Sequence, residues 1–208
     1  MGLCCSAAGA QDQEHLSQKR DQKIIQHVED YTLPHGSLKL SVHNCVLKGP
    51  VTADSGWACD GRKIFEKCQG GITDFYQTAG KKKYNCAEHD FDLCFECCQY
   101  VYKNEKICEA SKQKWSGFWL QGQSKGEMKF EKLLITKNTV FGNGEDSIGT
   151  FIISGKVHEN NQTLGFRKQY LGKHLVTYTG GISNQGKTVQ GDWDIGGSTT
   201  GKFELNCQ

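Results

Sequence analysis

From Trp115 onward, apolar and polar residues alternate in short runs: GFWLQ, EMKFEKLLIT, TVFGNG, SIGTFIISGKVH, TLGFRKQYL, HLVTYTGGI, KTVQGDWDI and TGKFELN. The gaps between them hold KN, NGED, ENNQ, SNQG and GGST, compositions that favour turns. Eight β-rich runs joined this tightly predict an antiparallel meander, and closing it into a barrel removes its edge strands. No proline interrupts the region. Sixteen of the 25 glycines lie there, suited to the sharp bends of a small barrel.

The first half reads differently. Ile24, Ile25, Val28 and Tyr31 have helical spacing within an otherwise polar stretch, which predicts a short helix or a solvated stalk over 11–33. Residues 36–98 hold seven of the eleven cysteines. The chain is therefore expected to divide into a spacer (1–35), a cysteine-rich domain (36–98), a linker (99–114) and a barrel (115–208). The fold class expected is mostly β: a small two-zinc cross-brace domain followed by an eight-stranded barrel.

Charge and termini narrow the partners. A formal net charge of +2 supplies no whole-protein field for nucleic acid, so none is expected as a partner. No run approaches the ~20 apolar residues of a membrane-spanning helix. The start, MGLCCSAAGA, lacks the basic head and long apolar core of a secretory signal. It resembles an acylation signal instead. With Met1 removed, Gly2 becomes the terminus, and Ser6 stands where the myristoylation pattern wants Ser or Thr.

Cys4 and Cys5 follow as palmitoyl acceptors. A second acyl chain is what turns marginal binding into stable anchoring. A polybasic patch cannot serve as that second signal, because residues 11–30 carry five acids against three bases. The expectation is peripheral attachment through acyl chains to the cytoplasmic face of a membrane. In that compartment thiols stay reduced, so the cysteines should not form structural disulfides.

Metal is the alternative use for them. Cysteine and histidine fall into four pairs: His43 with Cys45, Cys59 with Cys68, Cys86 with His89, and Cys94 with Cys97. Four ligands per ion make two zinc sites. Only four residues separate the third pair from the fourth, too few for them to fold back on each other. Interleaving is easier: His43, Cys45, Cys86 and His89 on one ion, and Cys59, Cys68, Cys94 and Cys97 on the other. Cys98, Cys108, His35 and Cys207 are reserves, with His35 or Cys108 able to replace Cys45.

The string HNCVL…GWACDG…CQGG…YNCAEHDFDLCFEC resembles the divergent branch of the cysteine/histidine-rich, diacylglycerol-type zinc domains, and its tail is similar to ZZ-type zinc fingers. The resemblance spans 43–98 and implies a cross-braced pair of zinc ions. The chain departs from the pattern at Cys45, at His89 and in the Cys59–Cys68 spacing, yet keeps a zinc-competent atom at each. The opening WSGFW is weakly similar to small avidin- and lipocalin-like barrels. Trp115, Trp119, Tyr170, Tyr178 and Trp193 are candidates for lining a ligand pocket there.

Other motifs weigh little. GISNQGKT, Gly181 to Thr188, matches the phosphate-loop spelling, but VQGDWDIGG after it alternates like a strand, and that loop must open a helix. GNGED lacks calcium-loop spacing. There is no HExxH and no GxSxG, and fully protein-liganded zinc is structural. The function expected is a non-enzymatic, lipid-anchored zinc adaptor with an unnamed protein partner, associated with cilia or the cytoskeleton. The alternatives are a lipid sensor, working through Ile72, Phe75, Tyr76 and the lysines at 81–83, and a RING- or ZZ-like accessory of the ubiquitin pathway.

Overall fold

The computed structural model describes residues 32–158 and 162–208. Gly2, Cys4, Cys5 and all but the last two residues of the helix or stalk expected over 11–33 lie outside them. Among the described residues no helix is long and apolar enough to cross a membrane.

The cysteine-rich half is built on a four-stranded antiparallel sheet in the order β1 (Gly36–Leu38), β2 (Leu47–Thr52), β3 (Lys82–Cys86) and β4 (Phe91–Cys94). Burial alternates along β3: Tyr84 and Cys86 are buried, and Lys83 and Asn85 between them are half-buried. Between β2 and β3 the chain makes a long excursion, ordered by α1 (Gly61–Ile64) and a 3-10 turn at Phe75–Gln77. Asp74 caps that turn by accepting from the Phe75 amide, and the Gln77 side chain reaches back to the Asp74 amide.

α2 (Phe95–Ser111) follows β4 directly. Its N-cap is Cys94, whose sulfur accepts from the Cys97 amide, and Lys112 closes it in the left-handed region at φ 54°. Residues 99–114, expected as a linker, are thus helical as far as Ser111. Cys97, Val101, Asn104 and Cys108 fall on one buried face at helical spacing. Because cysteines and an asparagine occupy much of that face, the apolar periodicity that normally announces a packed helix is weak.

The eight runs from Trp115 onward form eight strands: β5 (Trp115–Gln121), β6 (Ser124–Ile135), β7 (Val140–Asp146), β8 (Gly149–Val157), β9 (Thr163–Tyr170), β10 (Leu175–Ser183), β11 (Thr188–Ile195) and β12 (Thr199–Cys207). Each pairs with the next, and β12 pairs with β5, so the antiparallel barrel is closed. Gly181–Thr188 is the β10–β11 hairpin, with a 3-10 turn at Asn184–Gly186 and no helix after it.

The lumen explains many of the glycines. Register sets Trp119 opposite Gly126, Trp193 opposite Gly201, Phe203 opposite Gly191 and Phe166 opposite Gly155. The Trp119 and Trp193 rings lie over the bare backbone of their opposite glycines, and the tip of the Phe203 ring lies over Gly180, which makes room for aromatics in so narrow a barrel. A Cβ on Gly126 would sit 2.2 Å from the Trp119 ring, and one on Gly201 would sit 2.5 Å from Trp193. Gly126→Ala is therefore expected to cost about 1–3 kcal/mol by overpacking. Gly165→Ala, whose new carbon would meet nothing closer than 3.8 Å, should be tolerated. Thermal denaturation of both variants checks the contrast; equal losses would contradict it.

Two cores result. One fills the lumen, with Met128, Phe151, Leu164, Phe166 and Val189 among its members. The other unites the cysteine-rich half, the Val101, Ile107 and Cys108 side of α2, and Leu134, Phe141 and Ile152 from the barrel. Those three barrel residues alternate with lumen residues and so face outward, against the helix. Tyr100 meets Phe141 edge-on at 5.8 Å, and Lys132 pairs with Glu109 at 2.9 Å.

Candidate metal centres

The sheet and its loops gather two tetrads. His43 and Cys45 precede β2, Cys86 ends β3, and His89 lies in the β3–β4 turn; their ligand atoms all fall within 4.8 Å of one another. Cys59 and Cys68 flank α1, Cys94 ends β4, and Cys97 lies in the first turn of α2; these four meet the same limit and are all buried. Pairs one and three thus come together, as do pairs two and four. Both tetrads could hold a metal ion and are compatible with zinc.

The spacings discriminate between metal and disulfide. Cys68 and Cys94 sulfurs are 3.5 Å apart, and Cys97 and Cys68 sulfurs 3.7 Å. A disulfide needs ~2.05 Å. A tetrahedron with ~2.3 Å metal–sulfur bonds puts its sulfurs ~3.8 Å apart. In the mixed tetrad the His89 Nδ1 lies 3.4 Å from the Cys86 sulfur and 3.6 Å from that of Cys45. The His43 Nε2 is buried with no hydrogen-bond partner, an atom that a metal would satisfy. His43 is held flat against Phe91, ring centroids 4.2 Å apart.

Backbone amides prepare the sulfurs for charge. The Cys94 amide donates to the Cys59 sulfur at 3.3 Å, the Gln69 amide to Cys97 at 3.3 Å, and the Cys97 amide to Cys94 at 3.4 Å. Hydrogen bonds from Cys94 and Cys97 hold the Cys59 thiol down at about 5, while Cys97, on the donating side, is pushed up. In the outer tetrad the contact with His89 lowers the Cys86 pKa and raises that of His89.

The reserves are placed elsewhere. Burial pushes the Cys98 thiol up, and pushes Cys108 up to about 12; their sulfurs face the carbonyls of Leu93 and Phe141. His35 is exposed ahead of β1, and Cys207 ends β12.

Several supporting residues escaped the sequence-based reading. A Cβ on Gly61 would stand 2.5 Å from the Cys97 sulfur, and one on Gly70 would stand 3.0 Å from that of Cys94. Asp60 ties the loop to β4: its amide donates to the Asp92 carbonyl at 2.7 Å, and its carboxylate accepts from the Asp92 amide at 2.9 Å. The only trace in the sequence is that CDG and CQGG place small or turn-forming residues beside ligands.

The aromatic pocket is partly corrected. Trp119, Tyr170, Tyr178 and Trp193 do share a cavity of about 70 Å³ at one mouth of the barrel. Trp115 does not join them. It opens β5 opposite Cys207, at the other end, with its indole nitrogen donating to Gln113 at 3.1 Å. Four positions along one strand carry a side chain from one end of a small barrel to the other, a distance sequence proximity conceals.

Compared with family models, with curated proteins and with solved structures, the chain matches none.

Proposed function

We propose that the protein is a non-enzymatic adaptor, anchored by N-terminal acyl chains to the cytoplasmic face of a membrane and built around two structural zinc ions. In the metal reading, His43, Cys45, Cys86 and His89 hold one ion and Cys59, Cys68, Cys94 and Cys97 the other. Each set already offers four protein donors, which leaves no position for water or substrate. Sulfur-rich tetrahedral ligation favours zinc over the oxygen-seeking cations. What the zinc supplies is folding energy, fastening the excursion between β2 and β3 to the sheet and to α2.

The membrane reading rests on one geometric observation. Gly36 pairs with Gly49 and Leu38 with Leu47, so the chain reaches β1 from the Val51–Thr52 end of the sheet. The ladder continues at that same end through Ala53 and Lys81 into the loop that holds Phe75 and Tyr76. Phe75 is 58% exposed, Tyr76 is 66% exposed, and Val51 is exposed as well. Three of the four exposed large apolar side chains among the described residues thus gather where the acylation signal leads into the fold. Lys82, also exposed, adds attraction to anionic lipid. The same loop favours a second reading, that the zinc domain senses the lipid surface.

Fractionation of cells tests the anchor. Gly2→Ala should move the protein to the soluble fraction, and the Cys4→Ser, Cys5→Ser pair should leave weak, reversible attachment. Full membrane retention of Gly2→Ala would overturn it. Purification from membranes with the lipids intact separates the two readings: a stable protein partner supports the adaptor, and lipid without a protein supports the sensor.

A further inference from the structure

We propose that the cleft between the zinc-domain loop Phe65–Gln69 and the outer wall of β8–β10 binds a small oxyanion with an apolar body, a phosphate monoester or a carboxylate. The cleft encloses about 430 Å³, within the usual range for small-molecule sites and at the kind of junction where they form. One wall carries Phe65 and Tyr100, packed edge to face with centroids 5.2 Å apart. The other carries Lys156 and Arg167, and Lys67 closes the zinc-domain side.

The charge is unbalanced. Among the described residues no carboxylate lies within ion-pair distance of Lys67, Lys156 or Arg167, and Glu66 is the only acidic residue in the lining. Arg167 is the anchor. One terminal nitrogen donates to the Phe65 carbonyl at 3.2 Å, which fixes the guanidinium across the cleft floor. Its Nε is buried and makes no hydrogen bond. Leaving a charged group's N–H unpaired is costly, and an oxyanion that accepts from the guanidinium edge removes that cost. Lys156 and Lys67, both exposed, add long-range attraction, while the half-buried Tyr100, backed by the buried Phe65, gives an apolar body something to lie against.

Calorimetric titration of the zinc-loaded full chain, made without acylation, tests the site. The probes are phenyl phosphate and phenylacetate, which separate the two oxyanion sources. At least one should bind with sub-millimolar affinity, and the tighter one names the class. Arg167→Lys keeps the charge but loses the planar edge, and should weaken binding at least about tenfold. Lys156→Gln, remote from the zinc ligands, should weaken it about threefold. Zinc content and the β-sheet circular dichroism of each variant serve as the fold control. Lys156→Gln keeps the test open should Arg167→Lys misfold. Absence of binding to both probes overturns the proposal, as does binding that properly folded variants leave unchanged.

Discussion

Chelation of the full chain should release two zinc ions and unfold the half from Leu33 to Ser111 while the barrel keeps its strands. The magnitude follows from what else holds that half together. β1 has three residues, α1 has four, the sheet has four short strands, and the nearest sulfurs are too far apart for disulfides. Structural zinc contributes ~10–16 kcal/mol in small metal domains, more than such a sheet gains by itself. His89→Ala should reduce the metal to one ion per chain, since His89 is exposed and serves only the outer tetrad. Cys94→Ser should be far worse. Cys94 belongs to the buried tetrad, ends β4 and caps α2, so its loss removes a ligand and a helix start together.

The effect of chelation should reach the barrel without dissolving it. The lumen core is complete within Trp115–Cys207, but Leu134, Phe141 and Ile152 on the outer wall are covered by α2 and the cysteine-rich half. Once α2 loses its anchor at Cys94 and Cys97, that patch meets water. Circular dichroism should retain the β signal, a hydrophobic dye should bind, and the melting temperature should fall. A 112–208 fragment should behave alike: folded, prone to associate, and made more soluble by Phe141→Ser. Dye binding and melting unchanged after confirmed loss of both ions would show that the metal does not govern this contact. A single ion in the native chain would instead point to the outer tetrad as wrongly assigned.

How much was legible depended on whether local pattern carried the information. The eight strands were readable because alternation, turn residues and the absence of proline act over a few residues each. The cysteine and histidine pairs were readable for the same reason, and the short gap between Cys86–His89 and Cys94–Cys97 made the interleaving of the two tetrads a matter of chain reach. Three things were not legible. α2 hides because Val101 and Ile107 share its buried face with cysteines that read as metal ligands or reserves and with the polar Asn104, Glu105 and Ser111, and Glu105 is spoken for by the Ser41 amide 64 residues away. The placement of Trp115 and Trp119 at opposite mouths depends on barrel height. Lys168 sits in FRKQY at an inward position of an alternating strand, where a lysine looks like an error of phase until its partner on another strand is seen.

That partner sets the final expectation, that Lys168→Met destabilises the barrel strongly and a second substitution repairs it. Lys168 is 0% exposed, inside the lumen, with its ammonium 2.5 Å from Asp146 Oδ2 and 4.0 Å from the centre of the Phe151 ring. The Tyr170 hydroxyl donates to the same carboxylate oxygen at 2.7 Å. Removing the cation leaves the Asp146 carboxylate buried and short of charge, a loss of about 3–5 kcal/mol. Adding Asp146→Asn to Lys168→Met removes the uncompensated charge, keeps an acceptor oxygen for the Ile148 amide and turns an amide N–H toward the Tyr170 hydroxyl oxygen, which can accept it, so more than half of the loss should return. The pH dependence has a definite sign. Burial lowers Lys168 from the ordinary 10.5 to about 8, and the pairing with Asp146 only partly offsets it. The unfolded chain therefore binds the proton more readily than the native one between those values. The resulting penalty is full below pH 8 and fades as pH rises toward 10.5. Wild type should gain stability relative to Lys168→Met between about pH 8 and 9.5. Above that range Tyr170 and Tyr178 ionise more easily in the unfolded chain, because burial raises both in the native state. Urea denaturation of wild type, the single variant and the double variant at pH 7.5 and 9.5 measures all of this. A Lys168→Met barrel as stable as wild type would mean that the ion pair contributes nothing to the fold, and a gap between the two that does not widen with pH would mean that burial does not lower the Lys168 pKa.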